Sequence, residues 1–324
     1  MATDLSVNKC PEQYDTYNFS LPERYRKIAQ DDLGETDEIR EQSLAIMRDW
    51  IAKHPSIKTC RTDALFLLRF LRMRKFSIPR AQETLERYLA MRQTFPQWFQ
   101  NLDPQDETMR ELIDGNQFQI LGQDSSGRTV ILVQLKNFNP DRFTSTQQTR
   151  HMMLPLEITF DDEKTQIGGY VIILDYADFT MHHLAVWSLT DIKNIMDCVN
   201  HSLPIRMREV HAIRVPRFAV TVAELAMTCL STKLRKRIFC HKSMMEAKKH
   251  LDESLLTTDY EGGIQDPQEL KRKLIESVTE KRHQLLQLDG MEIDATKYRS
   301  MWHQTSDEDI ESGVTGSFRK LTVD

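Results

Sequence analysis

The stretch GGYVIILDYADF, residues 168–179, predicts the centre of the fold. Residues 170–174 form an unbroken apolar run, bounded by two glycines on one side and by aspartates on the other. An apolar run of this length is typical of a strand that is buried on both faces. Strands of this kind belong to parallel sheets covered by helices, so we expect an α/β domain around this segment.

The segments on either side of this strand alternate between strand and helix patterns. Before it, FQILGQDSSGRTVILVQL (118–135) predicts a hairpin, and TSTQQTRHMMLPLEITFDDE (144–163) predicts a helix kinked at Pro155. After it, the sequence predicts a helix at 187–202, a strand at 209–215, a strongly apolar helix at 217–230 and a basic helix at 231–243. This alternation favours a largely parallel sheet with helices on both sides.

Both ends of the chain have a different pattern from this α/β core. Apolar residues recur at helical intervals between residues 21 and 99, with Thr36 and Thr62 as candidate helix caps. Residues 266–290 again predict a charged helix, and the last 34 residues predict a polar tail. We therefore expect a helical bundle at 21–100, an α/β domain at 105–265, and a C-terminal helix with an acidic tail at 266–324.

Composition excludes several classes of protein. The chain has 324 residues, of which 40% are hydrophobic and 28% are charged, as in soluble globular proteins. It contains no run of 18 apolar residues, and its first residues lack the pattern of a signal peptide. The five cysteines are odd in number and form no CxxC pair, which argues against a disulfide framework or a zinc site. We expect a cytoplasmic protein with free thiols and no metal.

Basic charge is concentrated in one part of an otherwise acidic chain. Residues 204–250 contain eleven Lys and Arg against three Glu, a net charge of +8, whereas residues 251–324 carry −7. Arg206 and Arg208 share one side of an extended segment, and Lys233 and Arg237 share one face of a helix. These pairs flank the apolar helix at 217–230, and they favour a local anionic partner. No basic array with interleaved aromatic residues occurs, so we expect no nucleic-acid partner.

Two motifs suggest chemistry, and neither argues strongly for an enzyme. Cys229 and Arg235 have the CX5R spacing of thiol phosphatases, but Cys229 ends an apolar helical run, and no glycine lies between the two residues. His182 and His183 are adjacent, so they point apart and cannot readily share a metal ion. We interpret these histidines as part of a surface loop. The apolar helix at 217–230 leaves two interpretations open, a core helix or a lid over a cavity.

Four segments, in the same order along the chain, resemble the CRAL-TRIO family of lipid-binding proteins. LLRFLRMRKFSIPRAQETLERYLAMR (67–92) resembles its N-terminal helical module, and GGYVIILDYADFT (168–180) resembles a strand of its lipid-binding domain. SLPIRMREVHAIRVP (202–216) resembles its basic turn and the next strand, and FAVTVAELAMTCLSTKLRKRI (218–238) resembles its lid helix and the segment after it. The resemblance covers about residues 21–265 and points to the branch of tocopherol and retinaldehyde carriers.

The resemblance implies positions for two sites. The family's phosphoinositide-binding positions correspond here to five basic residues, namely Arg74, Arg206, Arg208, Lys233 and Arg237. Its lipid-pocket positions correspond to residues that are nearly all apolar or aromatic, namely Met152, Leu156, Tyr170, Leu174, Phe179, Met181, Trp187, Ile195, Val199, Val210, Phe218, Val222, Ala223 and Ala226. Met152 and Leu156 replace two serines of the tocopherol carrier, which argues against tocopherol and favours a drier or differently shaped pocket.

The function implied is carriage of one hydrophobic lipid, with tocopherol-, retinoid- and isoprenoid-like cargoes all open. No catalysis and no cofactor are implied. We expect a transient contact with phosphoinositide-containing membranes, where a lid helix opens and the cargo is released. The alternative is a lipid-responsive adaptor in membrane trafficking or signalling, whose tail at 291–324 contacts a protein partner.

Overall fold

The N-terminal part of the chain is a helical module. The structure, a computed structural model, describes residues 6–302. The helices before the sheet are α1 (Glu23–Ile28), a π-helical turn (Ala29–Leu33), α2 (Asp37–Lys53), α3 (Ala64–Met73), α4 (Ile78–Thr94), α5 (Pro96–Phe99) and α6 (Glu107–Asp114), with a short strand β1 (Ile57–Thr59) between α2 and α3. Thr36 caps α2 as predicted, but α3 is capped by Asp63 instead of Thr62.

A five-stranded sheet follows. Its strands are β2 (Phe118–Gln123), β3 (Thr129–Gln134), β4 (Tyr170–Asp175), β5 (Met207–Ile213) and β6 (Ile238–His241), in the order β2-β3-β4-β5-β6. β2 and β3 form the predicted antiparallel hairpin, and the other neighbouring strands run parallel. The α/β fold with a mostly parallel sheet is therefore confirmed.

Helices cover both faces of this sheet. They are α7 (Ser145–Phe160), α8 (Glu163–Gly168), α9 (Met181–Ala185), α10 (Leu189–Asp197) with a π-helical turn (Cys198–Ser202), α11 (Arg217–Thr228), α12 (Thr232–Arg235), α13 (Met244–Ala247), α14 (Pro267–Glu280) and α15 (Arg282–Gln287). Short 3-10 turns lie at Leu135–Asn137, Glu253–Leu255, Leu288–Gly290 and Arg299–Met301, and a last strand β7 is Glu292–Ile293.

Alternate residues of the central strand enter two separate cores. Tyr170 packs in the larger core, with Ile172 and Leu174 beside it, and this core continues into the helical module. Val171 and Ile173 pack in the smaller core on the opposite face of the sheet. Because side chains alternate across a strand, burial on both faces requires the continuous apolar run that the sequence shows.

Buried ion pairs join the helical module to the α/β domain. Arg69 of α3 contacts Glu157 of α7 at 3.0 Å and Asp161 at 2.7 Å. Arg61 contacts the same aspartate at 3.0 Å, and the Tyr88 hydroxyl donates a hydrogen bond to Glu157. Charges buried this deeply need partners within contact distance, so the network fixes how the two parts of the chain dock.

The predicted basic helix at 231–243 is largely wrong. Only one helical turn, α12, forms there, and residues 238–241 make the edge strand β6, which pairs in parallel with β5. Ile238, Phe239 and Cys240 suit a strand better than a helix because branched and aromatic side chains pack well on a sheet. The Lys and Arg residues before them favoured the prediction of a helix, and the short strand pattern was missed.

The predicted polar tail is wrong for its first twelve residues. Strand β7 pairs with β1 of the helical module, and Ile293, Tyr298 and Trp302 are buried in the larger core. The chain therefore returns to its N-terminal module before residue 302. The remainder of the predicted acidic tail and its partner-binding role, residues 303–324, lie outside the described residues.

A buried histidine in α7 predicts acid sensitivity. Burial lowers the pKa of His151 from 6.5 to about 4. The unfolded chain therefore binds a proton that the folded chain does not between these two pKa values, and stability falls as the pH drops through this window. We expect the free energy of unfolding to fall by about 2 kcal/mol between pH 7 and pH 5 from this residue.

This contribution can be isolated by comparing the wild-type protein with His151→Gln. Urea unfolding of both proteins at pH 7 and pH 5 gives the difference in their pH dependence. The variant should lose less stability than the wild type over this interval. Equal losses in the two proteins would contradict the assignment of this acid sensitivity to His151.

Candidate functional site: an apolar cavity beside a basic cleft

An apolar cavity of about 810 Å³ lies between α11 and the sheet. Alternate residues of the parallel strands form its floor, and α11 forms its roof. Its lining residues are Leu174, Tyr176, Met196, Val210, Ala212, Arg214, Val215, Val220, Ala223, Glu224, Ala226, Met227, Leu230, Ile238, Cys240, His241 and Lys242. The small side chains Ala212, Ala223 and Ala226 leave this space between the two layers.

Helix α11 is apolar on more of its surface than a core helix requires. It begins directly after Pro216 and ends at Thr228. Ala219 and Val222 are buried, whereas Phe218 is 36% exposed and Val220, which lies at the cavity, is 40% exposed. A helix with apolar residues both towards a cavity and towards solvent suits a lid that contacts an apolar surface when it opens.

The predicted pocket residues fall into four groups in the structure. Leu174, Val210, Ala223 and Ala226 line the cavity. Met152, Leu156, Tyr170, Ile195 and Val199 pack in the larger core, which also contains Leu174 and Val210. Phe179 and Val222 pack together with Leu184 near the start of α11, where Phe218 stacks on Phe179. Met181 is exposed and Trp187 is half-buried.

Several cavity residues were missed by the sequence argument. Ile238 and Cys240 lie on β6, which was predicted as a helix. Ala212 lies two residues after Val210 on β5, so the alternation of side chains along that strand predicts that both face the cavity. Met196 and Met227 carry no signal that separates them from ordinary core residues.

A cleft of about 450 Å³ beside this cavity brings all five predicted basic residues together. Arg74, Arg206, Arg208, Lys233 and Arg237 line it. Lys75 and Arg80, which the sequence argument missed, line it as well. These residues come from the helical module, from the start of β5 and from the α12 segment, so only the folded chain assembles them.

Two glycines before β4 hold the arginines in place. Gly169 has a φ of +82°, and a Cβ there would lie 2.4 Å from the carbonyl oxygen of Arg206. Arg208 Nε donates to the Gly168 carbonyl at 2.9 Å, and Arg206 donates to the Ile167 carbonyl. Gly169 is therefore needed for the close approach of Arg206 and Arg208.

The cleft is electrostatically unsatisfied. Burial and the charge of Arg208 lower the pKa of Arg206 to about 10. Burial lowers the pKa of Lys233, and the neighbouring charges of Arg237 and Lys75 lower it further. Each cation of the cleft disfavours the charged form of its neighbours, and an anion placed among them relieves this repulsion. The cleft is therefore suited to a phosphate or a similar group.

The cleft and the cavity share one segment of chain. Leu230 faces the cavity, and the next residue, Ser231, lines the cleft. Likewise, Ile238 faces the cavity, and the residue before it, Arg237, lines the cleft. Only residues 229–231 separate the end of α11 from α12, which carries Lys233. The cleft cation Lys233 therefore lies five residues after the last residue of the roof helix.

The geometry does not support the phosphatase interpretation. Cys229 follows the C-terminal end of α11, and its Sγ lies 3.7 Å from the Leu225 carbonyl oxygen. A phosphate-binding thiolate needs the N-terminal end of a helix, where free N–H groups point at the anion. Cys229 instead faces a carbonyl oxygen, which repels an anion.

The two histidines at 182–183 have different surroundings in the structure. The surface-loop prediction is wrong for His183, which is buried in α9 and accepts hydrogen bonds from Thr180, whereas His182 is exposed. Within residues 6–302, no three or more His, Cys, Asp or Glu side chains are grouped so as to hold a metal ion. Over the same range, no helix has both the length and the apolar character needed to cross a membrane.

Comparison with known proteins places these features in a family. Residues 114–262 match the CRAL/TRIO domain, and residues 36–109 match the Pinta-like, UBA domain. Clavesin-1 of Pongo abelii is 32% identical over 231 residues, which are 71% of this chain and 65% of that protein. The human alpha-tocopherol transfer protein-like protein is 29% identical over 263 residues, 80% of this chain and 76% of that protein.

The clavesin-1 match spans slightly less than two thirds of that protein's length. Among solved structures, the chain is similar to Sfh5 with a TM-score of 0.40 and 10% identity, over 73% of this chain and 86% of that one.

Proposed function

The chain is a CRAL/TRIO family protein, and from this premise we propose that it carries one hydrophobic lipid and transfers it at phosphoinositide-containing membranes. The observation that carries the proposal is the apolar cavity of about 810 Å³ under α11, directly beside a cleft lined by seven cations. A cavity of this size lies within the range of about 300–1,000 Å³ typical of small-molecule sites. One relative is named for tocopherol transfer.

The apolar lining explains why such a carrier needs a membrane for release. Each methylene that moves from water into an apolar site gains about 0.8 kcal/mol, so a long hydrocarbon chain is held strongly and leaves slowly into water. A bilayer removes this penalty because the departing chain enters another apolar phase. The cargo we propose is therefore an isoprenoid-, tocopherol- or retinoid-like lipid, bound without covalent chemistry or a cofactor.

Coupling between the cleft and the roof supplies the trigger. An anionic head group that binds Lys233 and Arg237 pulls on α12, and α12 follows α11 after three residues. If the head group binds the open state more tightly than the closed state, it shifts the population towards the open one. The exposed Phe218 and Val220 of α11 then enter the membrane interface. We propose a cytoplasmic protein with a transient, peripheral membrane contact.

The first test is to identify the cargo. The protein is purified from a eukaryotic host under mild conditions, its intact native mass is recorded, and its solvent-extracted lipid is identified. We expect one lipid per chain, with a long apolar body. A mass equal to the bare chain, together with no uptake of lipid from mixed vesicles, would overturn the carrier proposal.

The second test measures transfer. Loaded protein is mixed with phosphatidylcholine vesicles that contain or lack phosphatidylinositol bisphosphate, and the rate of cargo delivery is compared. Delivery should be faster to the vesicles that contain the phosphoinositide. Equal rates with the two kinds of vesicle would remove the phosphoinositide from the mechanism and leave the lipid cavity unaffected.

A further inference from the structure

One carboxylate already lies between the two arginines of the basic cleft. Asp32 Oδ2 accepts a hydrogen bond from Arg206 Nη2 at 3.1 Å and another from Arg208 Nη2. Asp32 belongs to the π-helical turn Ala29–Leu33 of the N-terminal module, far in sequence from both arginines. Two guanidinium groups on a single oxygen are an arrangement that also suits a phosphate oxygen.

Asp32 is held by both arginines, yet its carboxylate can be reached from solvent by a competing anion. The hydrogen bond from Arg208 lowers the pKa of Asp32, so the carboxylate stays ionised at neutral pH. Its side chain is 42% exposed, whereas those of Arg206 and Arg208 are 8% and 24% exposed. A competing anion can therefore reach this position from solvent.

Other cations line the cleft beside this arginine pair. Within the described part of the chain, Lys75, Arg80 and Lys233 form no ion pair with a carboxylate, and all three line the cleft. A head group that carries several phosphates can engage these cations in addition to replacing Asp32. A head group with a single charge can either displace Asp32 or pair with one of these cations, but it cannot do both, and Asp32 has already lowered the net charge of the arginine pair from +2 to +1.

We propose that Asp32 is a specificity-determining residue, an internal counter-ion that makes the cleft select polyphosphorylated head groups over singly charged lipids. The inference rests on the proposed function, because it assumes that the cleft binds membrane head groups. In this proposal, one carboxylate of the helical module determines which lipid head groups the cleft prefers. Removal of that charge frees two arginines for any anionic lipid.

The experiment compares four proteins on three kinds of vesicle. The proteins are the wild type, Asp32→Asn, the charge-conserving Asp32→Glu, and Asp31→Asn, which changes the neighbouring exposed carboxylate. The vesicles are phosphatidylcholine alone, phosphatidylcholine with phosphatidylserine, and phosphatidylcholine with phosphatidylinositol bisphosphate. The fraction of protein that sediments with each kind of vesicle is the measurement.

We expect wild type, Asp32→Glu and Asp31→Asn to bind the bisphosphate vesicles selectively. Asp32→Asn should bind phosphatidylserine vesicles about fivefold more tightly than the wild type, as expected from about 1 kcal/mol per charge near an anionic surface. Its selectivity for the bisphosphate should fall accordingly. Asp32→Glu keeps the charge but has a longer side chain. If the role of Asp32 were merely steric, the vesicle selectivity of this variant would differ from that of the wild type.

The outcomes are distinguishable. If Asp32→Asn gains no binding to phosphatidylserine while the wild type binds bisphosphate vesicles, the inference is overturned and the proposed membrane step stands. If the wild type binds neither kind of anionic vesicle, the membrane step itself fails. Urea unfolding of each variant shows whether it is folded, and Asp32→Ser replaces Asp32→Asn if that protein does not fold.

Discussion

Charge reversal at Lys233 and Arg80 is expected to lower the affinity for phosphoinositide vesicles by about three orders of magnitude. Each cation near an anionic surface contributes about 1 kcal/mol, and its replacement by glutamate adds repulsion of similar size. Two reversals therefore cost about 4 kcal/mol, at 1.4 kcal/mol for each factor of ten. Both residues line the cleft, and neither forms an ion pair in the described part of the chain.

Substitutions at Lys233 and Arg80 test membrane binding with less effect on folding than substitutions of the neighbouring arginines. Arg206 is buried and donates to the Ile167 carbonyl, so its removal leaves a buried acceptor without a partner. Arg237 donates to the Met207 carbonyl in the same way. Loss of membrane binding in an Arg206 variant would therefore be confused with loss of stability.

The matched control is the double variant Arg235→Glu and Lys236→Glu. It changes the net charge by the same amount, close in sequence to Lys233, but neither residue lines the cleft. We expect it to lower vesicle affinity by about tenfold or less, through its general effect on the surface potential. Vesicle cosedimentation measures both variants. Equal losses would mean that the whole basic surface, and no particular cleft, attracts the membrane.

The sequence predicted the central features of the fold because each has a local signature. The continuous apolar run of β4 requires burial on both faces, and the two-residue period of Arg206 and Arg208 places both on one side of an extended segment. The five cations predicted from family positions meet in one cleft. Their assignment to phosphoinositide binding remains a prediction.

What the sequence did not predict depends on contacts between distant segments. Strand β6 is four residues long and exists because β5 offers it a parallel partner. The pairing of β7 with β1 buries Ile293 and Trp302, although the composition around them is polar. Asp32 lies more than 170 residues from its arginine partners, and no pattern in its own segment indicates that contact.

Replacement of Ala223 by tryptophan is expected to remove the cargo. Ala223 lies on the cavity side of α11, and a tryptophan side chain there projects into the space of about 810 Å³. If the ring displaces five methylenes of a bound chain, the loss is about 4 kcal/mol, or about a thousandfold in affinity. The ratio of extracted lipid to protein, measured beside the intact native mass, reports the result.

Thr221→Trp is the control for this variant. Thr221 is exposed on the same helix, and a separation of two residues places it nearly opposite Ala223. It adds the same ring on the side away from the cavity, so we expect its lipid content to match that of the wild type. Binding of Ala223→Trp to phosphoinositide vesicles should persist, because the cleft is unchanged. A full complement of lipid in Ala223→Trp would move the cargo away from α11 and into the core around Met152, Leu156 and Tyr170, where five of the predicted pocket residues pack.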